Sequence, residues 1–426
     1  MQQTTIWNSR WQALTTLLDE MEKTYNTLAN PTFAAATVSL KAFGADQFEF
    51  FLTGFNDNRL QFSHDFPPEN ILRAILDQVS YDITAVQQAV AQRQDSFPAM
   101  KEALTTADAL TQSALNLGSA SKLIKPAVPL PYFIKAPNIR VIPYASAAIV
   151  GIPYSCLETV RDYLATPHEV GHYNYHHGAG IAADLHKLLP GMPAWGAGWL
   201  EEIFADVYGC LVAGPVMALD FQDLLADNTW HNFVSSDGDH PVDAIRPFCY
   251  TKVLQEIGCV NAAEALNKRW HEILLKRGNP QNFYLANGDE IAMAAAKQFV
   301  QETAVVILGY LKKRGVPTNQ TWTEDLPSAG TSPLHLYQSF ANKLNKLKQT
   351  PCNTLQINTN ENKAFVQLPD GTKQNQRTLG NTQSWIDWAK KQNRLHNNEP
   401  LPTAIWRGIF NAGGWPVKGP EDPGGG

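Results

Sequence analysis

The segment His168-Glu169-Val170-Gly171-His172 places two imidazoles four positions apart, with a carboxylate next to the first. On an α-helix that spacing turns both rings to one face, where they can hold a single metal ion, while Glu169 lies about 100° round the helix and reaches the ion's water. Imidazole nitrogen suits zinc, which in a catalytic site takes three protein ligands and leaves a fourth position for water and substrate. The third ligand must come from elsewhere in the chain. Thirty residues after His172, the run Trp199-Leu200-Glu201-Glu202-Ile203-Phe204-Ala205-Asp206 offers Glu202, with Asp206 four positions further on. One carboxylate can then bind the ion while the other accepts the free ring N–H of a ligating histidine and fixes its tautomer. Glu201 is the alternative ligand, ranked second because its i+4 partner is Ala205.

A third element, His240-Pro241-Val242-Asp243-Ala244-Ile245-Arg246, supplies a histidine and an arginine that are not read as ligands. Both are expected to donate to the oxyanion that develops when water attacks a carbonyl. Seven of the eleven histidines fall between His168 and His240, which concentrates metal-binding capacity in that stretch. His176 and His177 follow the motif without forming a second one, and lie on its outer face or near the site. His186, His231 and His271 are read as surface or packing residues, and Trp195, Trp199 and Tyr208 as core. One local signal competes with the chemistry. Thr166-Pro167-His168-Glu169 has the pattern of a capping box, which would spend the Glu169 carboxylate on the Thr166 N–H. A base must be free to turn toward the metal, so the reading adopted is a helix already formed before Pro167.

His168-Glu-x-x-His172 with Glu202-x-x-x-Asp206 resembles the gluzincin metallopeptidases, and His240-Pro with Arg246 is similar to the pattern of the CAAX prenyl protease and HtpX group. The likeness spans about residues 140–250. It implies His168, His172 and Glu202 as ligands of one Zn2+ per chain, Glu169 as general base, Asp206 as the outer partner of a ligand, and His240 and Arg246 as transition-state donors. The function implied is zinc-dependent cleavage of peptide bonds, with a peptide or protein as substrate. Two other readings are an amidase or deformylase-like zinc hydrolase acting on a small substrate, and a catalytically inactive zinc-binding interaction protein. Residues 147–153 are read as an edge strand on which an extended peptide can add.

Around these residues the apolar pattern predicts an α+β chain, predominantly α, with a zincin-like catalytic domain: an active-site helix beside a small sheet, then a helical subdomain. Trp7, Trp11, Leu14, Leu18, Met21 and Tyr25 alternate spacings of four and three, giving a helix over 6–29. Residues 38–43 and 48–55 flank Gly44-Ala45-Asp46-Gln47 and read as a hairpin, with a further strand at 60–62. Two helices separated at Ser96-Phe97-Pro98 precede a Pro-rich connector over 125–131. Helices are expected at 252–276, 289–313 and 334–347, and a hairpin at 354–368. The domain division is an N-terminal α+β region over 1–124, a metallopeptidase domain over 125–350, a small appendage over 351–412 and a disordered Gly/Pro tail over 413–426.

Composition bounds the partners. The net charge of −6, with no dense Lys/Arg stretch, excludes nucleic acid, whose phosphates need a basic field. Five cysteines without a C-x-x-C pair fit reduced thiols and a cytoplasmic location. No apolar run approaches the roughly 20 residues that span a bilayer, and the first residues carry no secretory signal.

Overall fold

A computed structural model describes residues 2–28, 30–58, 60, 67–94, 97–142 and 144–380, and it is mostly helical with small sheets. The first helix, α1 (Gln2–Thr27), buries Trp7, Leu18, Met21 and Tyr25, as the four-three spacing requires. Asn30-Pro31 ends it and begins α2 (Pro31–Asn56). Proline also opens α3 (Pro68–Gln94) and α4 (Pro98–Ala120), where its fixed φ suits the first turn and its missing N–H orphans nothing.

The hairpin expected over 38–55 is corrected: those residues are a continuous part of α2. Its aromatics reflect a helix covered on several sides, by α1 and α3 among others, so Leu40, Phe43, Phe48 and Phe51 are all buried. Gly44, which reads as a turn residue, is a contact point instead. A Cβ there would stand 2.7 Å from Cη2 of Trp11. The strand expected at 60–62 lies largely outside the described residues.

The Pro-rich stretch is also corrected from connector to strand. β1 (Val128–Ile134), β2 (Asn138–Val141) and β3 (Ala147–Pro153) form a sheet in the order β1-β3-β2, with β1 parallel and β2 antiparallel to β3. β3 is therefore the central strand, not the edge expected for it, and both its flanks are already paired. The Val128 N–H donates to Ser146 O, so Pro129, Pro131 and Phe133 face the outer side of β1, where a proline leaves no ladder bond unmade. That side is closed by α3. Gln92 accepts from the Phe133 N–H at 2.6 Å and donates to Phe133 O at 2.9 Å, and Arg93 donates to Pro131 O at 2.7 Å.

This sheet divides two cores. Ala147 and Ile149 of β3 face the N-terminal helices, while Ala148, Val150 and Ile152 face the helices that follow. Burial on both faces accounts for the unbroken apolar run of β3, which shows no polar alternation.

Two 3₁₀ segments (Tyr154–Leu157 and Val160–Ala165) lead into α5 (Thr166–His177), which packs on β2 and β3. There follow α6 (Ile181–Leu188), α7 (Ala194–Ala197), α8 (Leu200–Ala213), α9 (Pro215–Ala226), α10 (Trp230–Val234), α11 (Pro247–Glu256) and α12 (Val260–Lys276). The single helix expected over 252–276 is broken at Gly258, whose φ of +92° an L residue resists. A two-stranded ribbon, β4 (Asn282–Tyr284) with β5 (Glu290–Ala292), precedes α13 (Met293–Lys313) and α14 (His335–Leu347). The C-terminal hairpin gains a third strand: β6 (Thr354–Asn358), β7 (Lys363–Gln367) and β8 (Lys373–Thr378). It docks on α2, with Leu355, Ala364 and Val366 in the N-terminal core. Residues 381–426, which include the expected tail, lie outside the described residues. Among the described residues no helix is long and apolar enough to cross a membrane.

Among the described residues the amide of Gln92 is the one group that meets both backbone atoms of Phe133 on the outer side of the sheet, with Gln88 also donating to Phe133 O. Gln92→Ala is expected to destabilise the fold by about 1–3 kcal/mol through an unsatisfied buried N–H, read as a lower denaturant midpoint with an unchanged m-value.

Candidate metal centre

The motif helix is held in place by what precedes it and by what it packs against. Thr166, with φ −54° and ψ −44°, is already helical and continues the 3₁₀ segment before Pro167, in agreement with the expectation that the helix begins upstream. The capping box does not form, and Glu169 is not drawn to the Thr166 N–H. α5 lies directly on α8. A Cβ on Gly171 would stand 2.6 Å from Cα of Ala205 and 2.9 Å from its carbonyl oxygen, so the two backbones meet as closely as a glycine allows. That contact sits between His168 and His172 on one helix and between Glu202 and Asp206 on the other.

The consequence is a convergence of ligand atoms. His168 Nε2 and His172 Nε2 lie 3.2 Å apart. Glu202 places Oε2 3.4 Å from His168 Nε2 and Oε1 3.4 Å from His172 Nε2. One ligand atom from each of the three residues lies within 4.8 Å of the others, so the group could hold a metal ion. Within the described residues this is the one such group of His, Cys, Asp and Glu. His168 and Glu202 are buried.

Carboxylates stand behind both rings. His172 Nδ1 is 2.9 Å from Glu201 Oε1, and His168 Nδ1 is 2.9 Å from Asp206 Oδ1, off the line of the ring N–H. The two Nε2 atoms are within hydrogen-bond distance of each other, and which of them donates depends on the tautomer. Asp206, expected to accept the ring N–H of a ligating histidine, stands beside His168 Nδ1 without hydrogen-bonding it. Glu201, weighed as an alternative ligand, instead lies against two rings, at 2.9 Å from His172 Nδ1 and 2.8 Å from His176 Nε2.

Arg246 is buried and turned to these carboxylates. Its Nε and Nη2 donate to Asp206 Oδ2 and Oδ1 at 2.8 Å each, and Nη2 donates to Glu202 Oε2 at 2.9 Å. Tyr250 adds its hydroxyl to Asp206 at 2.5 Å. His240, the more exposed of the candidates, brings Nε2 to 3.3 Å from Glu202 Oε1. Its ring is gripped by Asp237, which accepts from the His240 backbone N–H at 2.8 Å and lies 2.6 Å from Nδ1. The Asp237 hydrogen bond, with that of Glu202, pushes the His240 pKa up to about 10. Asp237 was missed by sequence reasoning. Its signal is an Asp before Gly three positions ahead of the histidine, a local turn-forming arrangement.

Glu169 differs from every other carboxylate here. It is buried beside the ligands, and among the described residues no donor hydrogen-bonds its carboxyl. Burial pushes its pKa up, against the pull of His168 and His172. For Glu202 burial acts in the same sense but is overcome: His172, His168, His240 and Arg246 hold its carboxyl well below the usual range. Of the remaining histidines, His186, His231 and His271 are exposed, and His177 points to the opposite side of α5 from the motif. Trp199 and Tyr208 are fully buried core residues.

Compared with known proteins, the chain matches no family model, no curated sequence and no solved structure.

Two measurements test this geometry. Gly171→Ala gains about 1 kcal/mol of helix propensity but forces a methyl into the Ala205 backbone, an overpacking that costs about 1–3 kcal/mol and spreads the ligands. The expected result is a folded protein that retains less than one equivalent of zinc after dialysis. In the metal-free protein, burial works to lower the His172 pKa, but the charges of Glu202 and Glu201 outweigh it and raise the value to about 9. A cation must displace that proton, so zinc affinity is expected to rise with pH up to about 9 and to fall below it, as read by competition with a chelator of known affinity.

Proposed function

We propose that the protein is a zinc-dependent hydrolase of zincin-like type that cleaves peptide bonds, with the gluzincin ligand set His168, His172 and Glu202. The observation that carries this reading is Glu169: a buried carboxylate with no hydrogen-bond donor among the described residues, set beside three residues whose ligand atoms lie within 4.8 Å of one another. A structural zinc site has no use for such a group, and closed sites usually recruit cysteine, whereas here no cysteine joins the cluster. Zinc held by these residues would lower the pKa of a bound water and polarise the scissile carbonyl.

The remaining work falls to the chain's own side chains. Glu169 takes a proton from the attacking water and passes it to the leaving nitrogen, a role suited to a carboxyl whose affinity for protons is raised by burial. His240, oriented by Asp237 and set at the accessible side of the site, donates from Nε2 to the oxygen that gains charge. Arg246 holds Asp206 and Glu202 in place through three charge-assisted hydrogen bonds, so its contribution is to keep the ligand and its neighbour fixed. Glu201 stands behind the ring of His172 and Asp206 beside that of His168.

Glu169→Gln preserves shape and removes the base. Hydrolysis of a denatured protein or a fluorogenic peptide mixture is expected to fall by about 10²–10⁴-fold while zinc stays near one equivalent. Activity retained at full zinc content would sink the general-base assignment. A zinc-loaded wild-type protein that turns over no peptide, protein or small amide would instead leave a binding role for the same site.

A further inference from the structure

Away from the metal ligands, charged side chains gather where α9 meets α12, α14 and the 3₁₀ segment over Val160–Ala165. From α9 come Asp220 and Asp223, three positions apart and so on one face of the helix. The 3₁₀ segment brings Arg161 and Asp162, α12 brings Arg269, and α14 brings the hydroxyl of Tyr337, whose ring centre lies 5.7 Å from the Arg161 guanidinium. The other side of α9 meets α8 and α11. There Phe221 sets its ring 5.0 Å from that of Tyr250, 5.4 Å from that of His168 and 5.3 Å from the Arg246 guanidinium.

The two carboxylates of α9 are unequally served. Asp223 has two arginines, since Arg269 Nη2 donates to its Oδ1 and Arg161 Nη1 stands 3.6 Å from its Oδ2. Among the described residues no Lys or Arg forms an ion pair with Asp220. Tyr337 lies between the two, donating to Asp223 Oδ2 at 2.7 Å with its oxygen 3.2 Å from Asp220 Oδ1. A phenol carries a single hydrogen. The shorter contact claims it, so the longer one becomes a full hydrogen bond only when Asp220 holds a proton and donates it to the Tyr337 oxygen. With Asp220 ionised, two carboxylates compete for one hydrogen beside the further negative charge of Asp162. Burial, together with the charges of Asp162 and Asp223, pushes the Asp220 pKa up to about 7, against the pull of Tyr337 and Arg161.

We propose that Asp220, Tyr337 and Asp223 form a proton-dependent clasp, which fastens α14 to α9 while Asp220 carries a proton and loosens when it ionises. The other polar ties of α14 are the largely exposed pairs of Lys343 with Glu324 and Lys348 with Glu102, which hold weakly. Outside the clasp Asp220 ionises near its ordinary 3.8 and within it near 7. The clasp's contribution is therefore whole below the first value, declines between the two and is gone once the pH has passed the second. No metal ligand takes part, so the clasp is independent of the hydrolase reading.

The test is amide hydrogen exchange of the full chain, read by mass spectrometry as the protection of α14 after correction for the intrinsic rate at each pH. Between about pH 5.5 and about pH 8.5 the protection of α14 is expected to fall about tenfold in the wild type. Asp220→Asn puts a permanent donor where the proton sits, and its α14 is expected to stay protected across that range. Tyr337→Phe removes the shared oxygen and is expected to bring protection at the acid end down to the wild-type value at the alkaline end. His335, at the exposed start of α14, is another titratable group on that helix, and both variants leave it in place. A fall that persists in Asp220→Asn therefore belongs to a different group and overturns the proposal. So does a wild-type α14 whose protection is the same at both ends, or a Tyr337→Phe variant that keeps full protection at the acid end.

Discussion

The approach of α5 to α8 at Gly171 and Ala205 is the constraint on which the rest depends. Ligands from two helices can share one ion only if their backbones come within the reach of an imidazole and a short carboxylate arm. A side chain on either helix at the crossing would hold them apart. Gly171 removes that side chain at the middle of the motif, and Ala205 keeps its own to one methyl. His168 and His172 straddle the crossing on one side, Glu202 and Asp206 on the other. The identity of the residue between the two histidines thus matters as much as the histidines.

Once the helices are that close, electrostatics must be balanced in a volume from which water is largely excluded. Glu202, Asp206 and Glu169 would repel one another if left alone. Arg246 answers two of them through a bidentate pair with Asp206 and a third bond to Glu202, and Tyr250 completes Asp206. Glu169 is left out of this network. That exclusion sets Glu169 apart from the carboxylates committed to hydrogen bonds, and it is consistent with helix geometry, which turns Glu169 about 100° away from His168.

The small sheet serves the same end from behind. Its central strand is apolar on both faces, because one face closes the N-terminal core and the other supports α5. The N-terminal helices and the C-terminal strands then join in one core on the remote side, with Leu355 and Val366 packed among residues of α1–α3. The motif helix is therefore pressed between a sheet and a helix, and its register is fixed from two directions.

The sequence by itself determined what depends on local spacing. The clustering of His168 and His172 on one helix face, the i+4 relation of Glu202 and Asp206, the helix already running before Pro167 and the helices that start at proline could all be read along the chain, because each rests on the 3.6-residue period or on proline's fixed φ. Tertiary structure decided what depends on neighbours. Residues 38–55 carry aromatics at a density that suits a strand, yet they form a helix because α1 and α3 cover it on several sides. Pro129 and Pro131 look like breakers, yet they occupy the outer edge of a strand where no N–H is needed. Residues 147–153 became a central strand because residues 128–134 and 138–141 pair on its two flanks. Glu201 came to lie against two rings and Arg246 became a clamp because hydrogen-bond partners 25 to 44 residues away arrive only when α8 and α11 pack. A pattern in sequence sets which way a side chain faces on its own element; what it meets there is decided by the packing of the others.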